Sequence, residues 1–284
     1  MPRVLHYLIL QSEIVDVVPT TPQEYERLSL HRVCYLWARQ VEIDRGGGNI
    51  HTMSRAELRP YGAPIRTALG ALAGPLFVGA FTVIGARRSG YDWKRHAVSS
   101  LAAERNGWPQ RLNFMLTGVM YVLAASGIAR CPRTVAGSRL VPALVGAAGV
   151  GLIGSGVFVT DPVGGFPPPS THGDASDNVK TEAPTRTRSG TLHNLFAIPI
   201  FVGVPLAGML GAVSSVKRRR YWWATYSVGS SVLMVACFIL FGAAFSESSN
   251  LAERGGIFQR LSVVMGFGWM SALSLRAYVS AQQG

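Results

Sequence analysis

The chain has 284 residues, of which 48% are hydrophobic and only 15% are charged, and its formal net charge is +12. Average soluble domains carry about 25% charged residues, so this composition argues against a soluble helical protein. The basic excess would suggest nucleic-acid binding in a soluble protein. Here the basic residues cluster in short loops between apolar runs, which is typical of a membrane protein, and we expect no nucleic-acid partner.

The first 52 residues differ from the rest, because they hold acidic residues and no apolar run long enough to cross a membrane. They lack the pattern of a secretory signal peptide. Residues 22–40 have the composition of an amphipathic helix on a membrane surface. Alternatively, translation begins at Met53, and residues 1–52 are untranslated or disordered. We therefore assign the polar extension to 1–52 and the membrane domain to 53–284.

Six apolar runs follow, and none of them contains Asp, Glu or Lys. A helix rises about 1.5 Å per residue, so runs of this length can cross a hydrocarbon core of about 30 Å. We predict an all-α, polytopic membrane protein built as a bundle of six transmembrane helices. The predicted spans are Thr67–Ala86, Leu112–Ala129, Leu140–Thr160, Leu192–Val213, Tyr221–Phe245 and Ile257–Val279.

Small residues and prolines within the spans predict close packing and irregular helices. Gly151 and Ser155 lie on one face of the third span, four residues apart, together with Ala147. Such a face lets helix backbones approach closely. Proline in the first and fourth spans predicts kinks, at Pro75, Pro199 and Pro205.

Six crossings would place both termini on one side of the membrane, together with loops 130–139 and 214–220. These two short loops carry basic residues and no acids, which favours cytoplasmic termini in a bacterial cell membrane. Loop 87–111 also carries six basic residues, so the charge rule is not decisive. The opposite side receives loop 161–190, which we interpret as a flexible segment, either a tolerated insertion or a lid.

Polar clusters flank the span ends on that opposite side, at 96–113, 159–162, 190–194 and 253–261. Their pattern resembles the bacterial six-span membrane proteins grouped as domain of unknown function 998. The resemblance covers roughly residues 65–280 and implies an architecture but no established activity. The residues that carry it are Ser99, Leu101, Pro109 and Asn113, then Gly156, Phe158 and Asp161, then Gly190 and His193, and finally Gly256 and Arg260.

Five residues on this face are candidate ligand-binding residues, and each has a structural alternative. Asp161 either marks a helix boundary or accepts a hydrogen bond from His193, since ionisable groups near a membrane are costly unless paired. Arg260 either extends to lipid phosphates or pairs with Asp161 or a bound anion. Ser99 and Asn113 are either ligand contacts or helix caps and interhelical hydrogen-bonding groups.

Other kinds of site have weaker support. Ser99, His193 and Asp161 have the residue types of a hydrolytic triad, but no Gly-x-Ser-x-Gly elbow is present. His96, Glu104, Asp161, His172 and His193 show no metal-ligand spacing, and the cysteines are scattered, so we expect neither a metal nor a cofactor. The spans also lack a carboxylate at mid-depth for ion-coupled transport.

Three hypotheses for the function remain. The first is a polar pocket on the extracytoplasmic face that binds a lipid headgroup or a small amphiphile. The second is a non-catalytic membrane scaffold or regulatory subunit that docks a protein partner of unknown identity. The third is a membrane-embedded lipid hydrolase. The sequence favours membrane lipids as partners and does not favour an enzyme.

Overall fold

The computed structural model describes residues 63–103, 105–131, 137–167, 186–245 and 250–282. Contacts divide the chain into two units, Met1–Pro60 and Tyr61–Gly284. The predicted polar extension, 1–52, lies outside the described residues, as do residues 168–185 of the predicted flexible loop. All of the described residues belong to the second unit.

The regular structure of the described residues is helical, which confirms the all-α prediction. Within the described residues, Val163 and Phe166 also form an isolated antiparallel β-bridge. A π-helical segment, Pro199–Gly203, joins two of the helices into one continuous span. The helices are α1 (Ala63–Ala86), α2 (Trp108–Ile128), α3 (Leu140–Val157), α4 (Arg188–Ile198), α5 (Val204–Lys217), α6 (Tyr221–Ala244) and α7 (Gly255–Gln282).

Five helical spans in the described part of the chain are long and apolar enough to cross a membrane. Large apolar side chains point outward from them, including Leu76, Leu116, Val202 and Ile239, which are each more than half exposed. So much outward apolar surface is unfavourable in water and favourable against lipid. The chain is therefore a polytopic helical membrane protein. The spans are Pro64–Ala86, Trp108–Ile128, Leu140–Val157, Arg188–Lys217 and Tyr221–Ala244.

Helix α7 is not among these five, although its bounds agree with the sixth predicted span. Arg260, Arg276 and inward-facing serines lower its hydropathy. Its 28 residues correspond to about 42 Å. Near one end the Ile257 N–H donates to the Lys94 carbonyl, and near the other Cys131 Sγ contacts the Ala277 carbonyl. It therefore traverses the bundle, and its crossing of a membrane remains a prediction.

Each helix packs against the next along the chain, and α7 returns to α1, which closes the bundle. Aromatic side chains such as Phe77, Tyr121, Phe267 and Trp269 fill the centre. Glycines permit the closest approaches: a Cβ atom at Gly118 of α2 would lie 2.5 Å from the carbonyl oxygen of Gly149 in α3. This arrangement agrees with the predicted use of small residues for packing.

The prolines act differently from one another. Pro75 lies inside an uninterrupted α1, whereas Pro199 begins the π-helical segment and Pro205 follows it. Proline has no N–H to donate to the preceding turn, so the hydrogen-bond register can shift there. The predicted irregularity is thus found in the fourth span.

The bundle has two ends that differ in their polar groups. We call one the polar end, which comprises residues 87–103, 105–107, 158–167, 186–190, 245 and 250–256. We call the other the basic end, which comprises the start of α1, residues 129–131 and 137–139, residues 217–223 and the last two turns of α7. The candidate residues lie at or near the polar end.

Candidate functional site

The polar end gathers loops that are far apart in sequence. The Gly256 N–H donates to the Arg95 carbonyl at 2.9 Å, and the Ser189 hydroxyl donates to the Val159 carbonyl at 2.9 Å. Phe166, in the predicted flexible loop 161–190, is 2% exposed, because its ring stacks on His96 with centroids 5.1 Å apart. At least this part of the loop is packed against the bundle.

Asp161 holds the start of α4. Its Oδ1 accepts a hydrogen bond from the Thr187 hydroxyl at 2.6 Å, and its Oδ2 accepts one from the Thr187 N–H at 3.1 Å. Thr187 is the N-cap of α4, and its side-chain oxygen accepts from the Gly190 N–H. A carboxylate beside a helix N-terminus is stabilised by the unpaired N–H groups and the helix dipole. Asp161 therefore makes the contacts expected of a helix-boundary residue.

The expected hydrogen bond from His193 to Asp161 is not formed. The nitrogen Nδ1 of His193 lies 3.1 Å from the Ser155 carbonyl oxygen and 2.9 Å from that of Phe158. Carbonyl oxygens only accept, so Nδ1 must carry the proton. The physical reason for the correction is that the end of α3 offers unpaired backbone carbonyls directly beside the imidazole, while Thr187 satisfies the carboxylate.

The second nitrogen of His193, Nε2, is then an acceptor in the neutral ring, and it has no hydrogen-bond partner among the described residues. The imidazole is 6% exposed and lines a cavity of about 40 Å³ beneath the polar end. The edge of the Phe114 ring packs near it, with centroids 6.2 Å apart. Backbone carbonyls thus fix the tautomer, and the structure leaves Nε2 available to the cavity.

The same cavity is lined by Ser99, Ser155 and Gln259, and otherwise by apolar side chains, among them Phe77 and Phe267. Its volume corresponds to a few water molecules or one small polar group. Ser155 Oγ is buried and has no hydrogen-bond partner within the described ranges. Ile200 and Phe201 of the π-helical segment complete one wall, so the irregular backbone of the fourth span contributes to the site.

Gln259 positions the short helical turn Ser99–Ala102 over the cavity. Its Oε1 accepts a hydrogen bond from the Val98 N–H, one residue before Ser99. Sequence analysis did not single out Gln259, although an amide side chain in an apolar helix next to Arg260 was a usable signal. Ser155 was assigned to packing alone, because its sequence context does not reveal the neighbouring cavity.

Within the described residues, Arg260 neither lines this cavity nor contacts Asp161. Its Nη1 donates to the carbonyls of His96 and Gly256 at 3.1 and 2.9 Å, and its Nη2 donates to Tyr91 Oη at 2.6 Å. The guanidinium also lies 5.7 Å from the centre of the Phe81 ring. Arg260 therefore fastens the 91–97 loop to α7, and its pairing with Asp161 is replaced by these contacts.

Burial raises the pKa of Tyr91, against the opposing effect of the Arg260 charge. Burial lowers the pKa of His96, and the positive charges of Arg95 and Arg260 lower it further. The His96 Nδ1 accepts a hydrogen bond from the Asp92 N–H at 2.9 Å, which requires that nitrogen to be unprotonated. Both groups therefore stay neutral near pH 7 and stabilise the loop.

Asn113 has a structural contact between helices. Its side-chain amide donates to the Phe77 carbonyl at 3.2 Å and to Gln110 Oε1 at 3.3 Å. It thus joins α2 to α1 and does not line the His193 cavity. Of the five candidates, the structure brings Ser99 and His193 to one cavity and gives Asp161, Arg260 and Asn113 positioning contacts around it.

Among the described residues, no three His, Cys, Asp or Glu side chains are grouped closely enough to hold a metal ion. Glu104 and His172, which were considered as ligands, lie outside those residues.

Comparisons with known proteins give a family without an activity. No curated protein and no solved structure matches the chain. One family model matches residues 71–276, which include all seven helices in whole or in part and all five candidate residues. The chain therefore belongs to the family described as "Protein of unknown function (DUF998)".

Proposed function

We propose that this protein binds a small, uncharged amphiphile from the membrane and holds its polar end in the His193 cavity. The observation that carries the proposal is the orientation of His193. Two backbone carbonyls fix the proton on Nδ1, and the ring lines a cavity with Nε2 unused among the described residues. An acceptor beside a small, mostly apolar cavity gains a hydrogen bond when a donor group enters that cavity.

The lining of the cavity supports a hydroxyl-bearing ligand. A ligand hydroxyl can donate to His193 Nε2 and accept from Ser99 or Ser155. Phe77, Phe114 and Phe267 supply apolar surface for the adjoining methylene groups. A phosphate headgroup fits poorly, because about 40 Å³ is too small and no cation lines the cavity within the described residues. The sequence suggested a lipid headgroup or a small amphiphile as the ligand. The lining of the cavity favours a long-chain alcohol or an acylglycerol among these.

The proposed setting is a bacterial cell membrane crossed six times. The basic loops between α2 and α3 and between α5 and α6 support cytoplasmic termini, since short cytoplasmic loops are enriched in Lys and Arg. In that orientation the cavity lies near the extracytoplasmic surface. The ligand would then be drawn from the outer half of the bilayer.

The test uses full-length protein in nanodiscs with a photoactivatable diazirine analogue of a long-chain alcohol. His193→Asn keeps an amide N–H for the Ser155 and Phe158 carbonyls and removes the acceptor at Nε2. We expect about tenfold less labelling of this variant, since a buried hydrogen bond is lost. Arg254→Gln, a polar change at an exposed residue outside the cavity, is the control and should label like the wild type. Equal labelling of His193→Asn and wild type would contradict the proposal.

A membrane-embedded hydrolase is a second candidate, because Ser99 and His193 line the same cavity. In this mechanism Ser99 Oγ attacks an ester carbon while His193 Nε2 takes the hydroxyl proton and returns it to the leaving alcohol. Water then releases the acyl group from Ser99. The Ser155 and Phe158 carbonyls, rather than Asp161, would hold the imidazole in its tautomer.

Labelling with a fluorophosphonate probe tests this second candidate. Ser100 is a matched control, because it is the neighbouring serine of the same turn, but it is fully buried and does not line the cavity. A hydrolase should be labelled at Ser99, and the label should disappear in Ser99→Ala and persist in Ser100→Ala. If wild type and Ser99→Ala react equally, the hydrolase is excluded and the binding function is unaffected.

A further inference from the structure

A second cleft lies at the basic end, at the opposite end of the bundle from the His193 cavity. It is lined by the turn before α6, by the first residues of α6 and by the last part of α7, and its volume is about 630 Å³. Arg219, Arg220 and Arg276 supply its charge, and Tyr221, Trp222 and Trp223 supply its aromatic surface. Its position and its ligand chemistry are both independent of the function proposed above.

No carboxylate in the described part of the chain lines this cleft. The carboxylates described there are Asp92, Asp161 and Glu253, and all three belong to the polar end. Arg220 lies close enough to Arg276 to act on it electrostatically. Like charges held together in this way repel each other, and a bound anion would relieve that repulsion.

Arg276 is held in a specific orientation in the wall of the cleft. Its guanidinium lies 4.0 Å from the centre of the Trp223 ring, which fixes the plane of its donors. Its Nη1 is buried and has no hydrogen-bond partner within the described ranges. A buried donor of this kind is costly unless an acceptor reaches it. Planar guanidinium donors match phosphate oxygens well.

The backbone holds Arg219 in an unusual conformation at the same place. Its φ is +56°, a left-handed geometry that favours glycine. The Arg219 N–H donates to the Val216 carbonyl and the Arg220 N–H donates to the Ser215 carbonyl, both at 2.9 Å, which is the Schellman arrangement that ends α5. Glycine would adopt this conformation with less strain than arginine does.

The aromatic residues of the cleft indicate that the ligand also has an apolar part at the membrane surface. Tyr221 and Trp222 are 61% and 79% exposed and lie at the start of a membrane-spanning helix. Tyr and Trp at such positions lie at the level of lipid headgroups. Leu275, which also lines the cleft, is 52% exposed and offers apolar surface beside the charges.

We propose that this cleft binds the phosphate headgroup of an anionic phospholipid. Arg276 and Arg219 contact the phosphate, Trp223 holds Arg276 in place, and the acyl chains lie along the outward faces of α6 and α7. The first residues of α6 also bring the positive end of a helix dipole to the phosphate.

The test measures phospholipid retained by the full-length chain, using native mass spectrometry after release from nanodiscs of phosphatidylglycerol and phosphatidylcholine. Wild type should retain phosphatidylglycerol in preference to phosphatidylcholine, and Arg276→Gln should retain about tenfold less of it. Arg254→Gln removes one exposed arginine at the polar end and is the matched control. It should retain as much phosphatidylglycerol as the wild type.

Arg219→Gly gives an independent measurement if Arg276→Gln does not fold. This variant should unfold at a higher temperature, because glycine adopts the left-handed conformation without strain, and yet retain less phosphatidylglycerol. Equal retention of the two lipids by wild type, or unchanged retention by both variants, would overturn the proposal. Displacement of the lipid by inorganic phosphate alone would also overturn it, in favour of a site for free phosphate.

Discussion

The carboxylate of Asp161 lies directly against Gly190, and a Cβ atom on residue 190 would overlap both of its oxygens and its carbon. Gly190 is in the first turn of α4, three residues before His193. The glycine therefore lets the end of α3 and the start of α4 meet at the distance that the Thr187 cap requires. The position of His193 depends on the same close approach of α3 and α4, because its Nδ1 contacts two carbonyls near the end of α3.

Gly190→Ala should destabilise the protein by about 1–3 kcal/mol, because the new methyl group must push Asp161 away from the cap. The measurement is the thermal unfolding midpoint in detergent. Gly242→Ala is the matched control, because nothing lies within 4 Å of a Cβ atom there. An equal effect of the two substitutions would show that Asp161 is not held against Gly190.

Asp161→Asn separates a capping role from a ligand-binding role. The amide keeps one acceptor for Thr187 and loses the charge at the helix N-terminus, so a loss of about 1 kcal/mol of stability is expected. Labelling by the diazirine alcohol should stay within about twofold of the wild type, since Asp161 does not line the His193 cavity. A loss of labelling as large as that of His193→Asn would place Asp161 in the binding site.

Gly118→Ala should separate α2 from α3 at their closest approach. The Cβ atom would lie 2.5 Å from the Gly149 carbonyl oxygen, where backbone offers no easy adjustment. The expected loss of stability is about 1–3 kcal/mol. Gly79→Ala on the exposed face of α1 is the control, because it meets nothing within 4 Å, and it should leave the unfolding midpoint nearly unchanged.

The His96 loop should weaken in acid. The pKa of His96 is lowered by burial first and then by Arg95 and Arg260, so the folded protein favours the neutral ring. Its contribution to stability is present above the ordinary histidine pKa of 6.5 and is lost as pH falls through the lowered folded value. Protonation at Nδ1 also ends its acceptance from the Asp92 N–H.

The measurement is the unfolding midpoint of wild type and His96→Asn between pH 7.5 and pH 5. Asparagine can accept from the Asp92 N–H and does not titrate, so the variant should lose less stability than the wild type on acidification. Identical pH profiles would show that His96 does not contribute to the pH dependence. The comparison of two profiles removes the contribution of the other histidines, which are common to both proteins.

Sequence reasoning located the helices closely because hydrophobicity is a property of composition along the chain. The predicted third and fifth spans begin at Leu140 and Tyr221, as α3 and α6 do. The fourth helix begins earlier than predicted, at Arg188, because Thr187 and Asp161 form a cap that composition alone does not reveal. Arg260 was recognised as a candidate residue, but its partners Tyr91 and His96 were not.

It was harder to predict from the sequence which groups form hydrogen bonds with each other within the site. Pairing Asp161 with His193 was reasonable on charge, yet Thr187 and the α3 carbonyls satisfied the two groups separately. Gln259 was passed over because its role depends on the Val98 N–H, a backbone group 161 residues away in sequence. Hydrogen bonds are directional, so they depend on helix rotation and on distances that spacing along a chain does not define.

By itself, the amino-acid sequence determined that this chain consists of apolar helices joined by polar loops, because lipid accepts only segments that satisfy their own backbone hydrogen bonds. The tertiary structure decided which face of each helix turns inward. That choice left Nε2 of His193 beside a cavity and placed Arg276 on Trp223 at the other end. Both outcomes depend on side-chain packing between distant helices, which acts only once the bundle has closed.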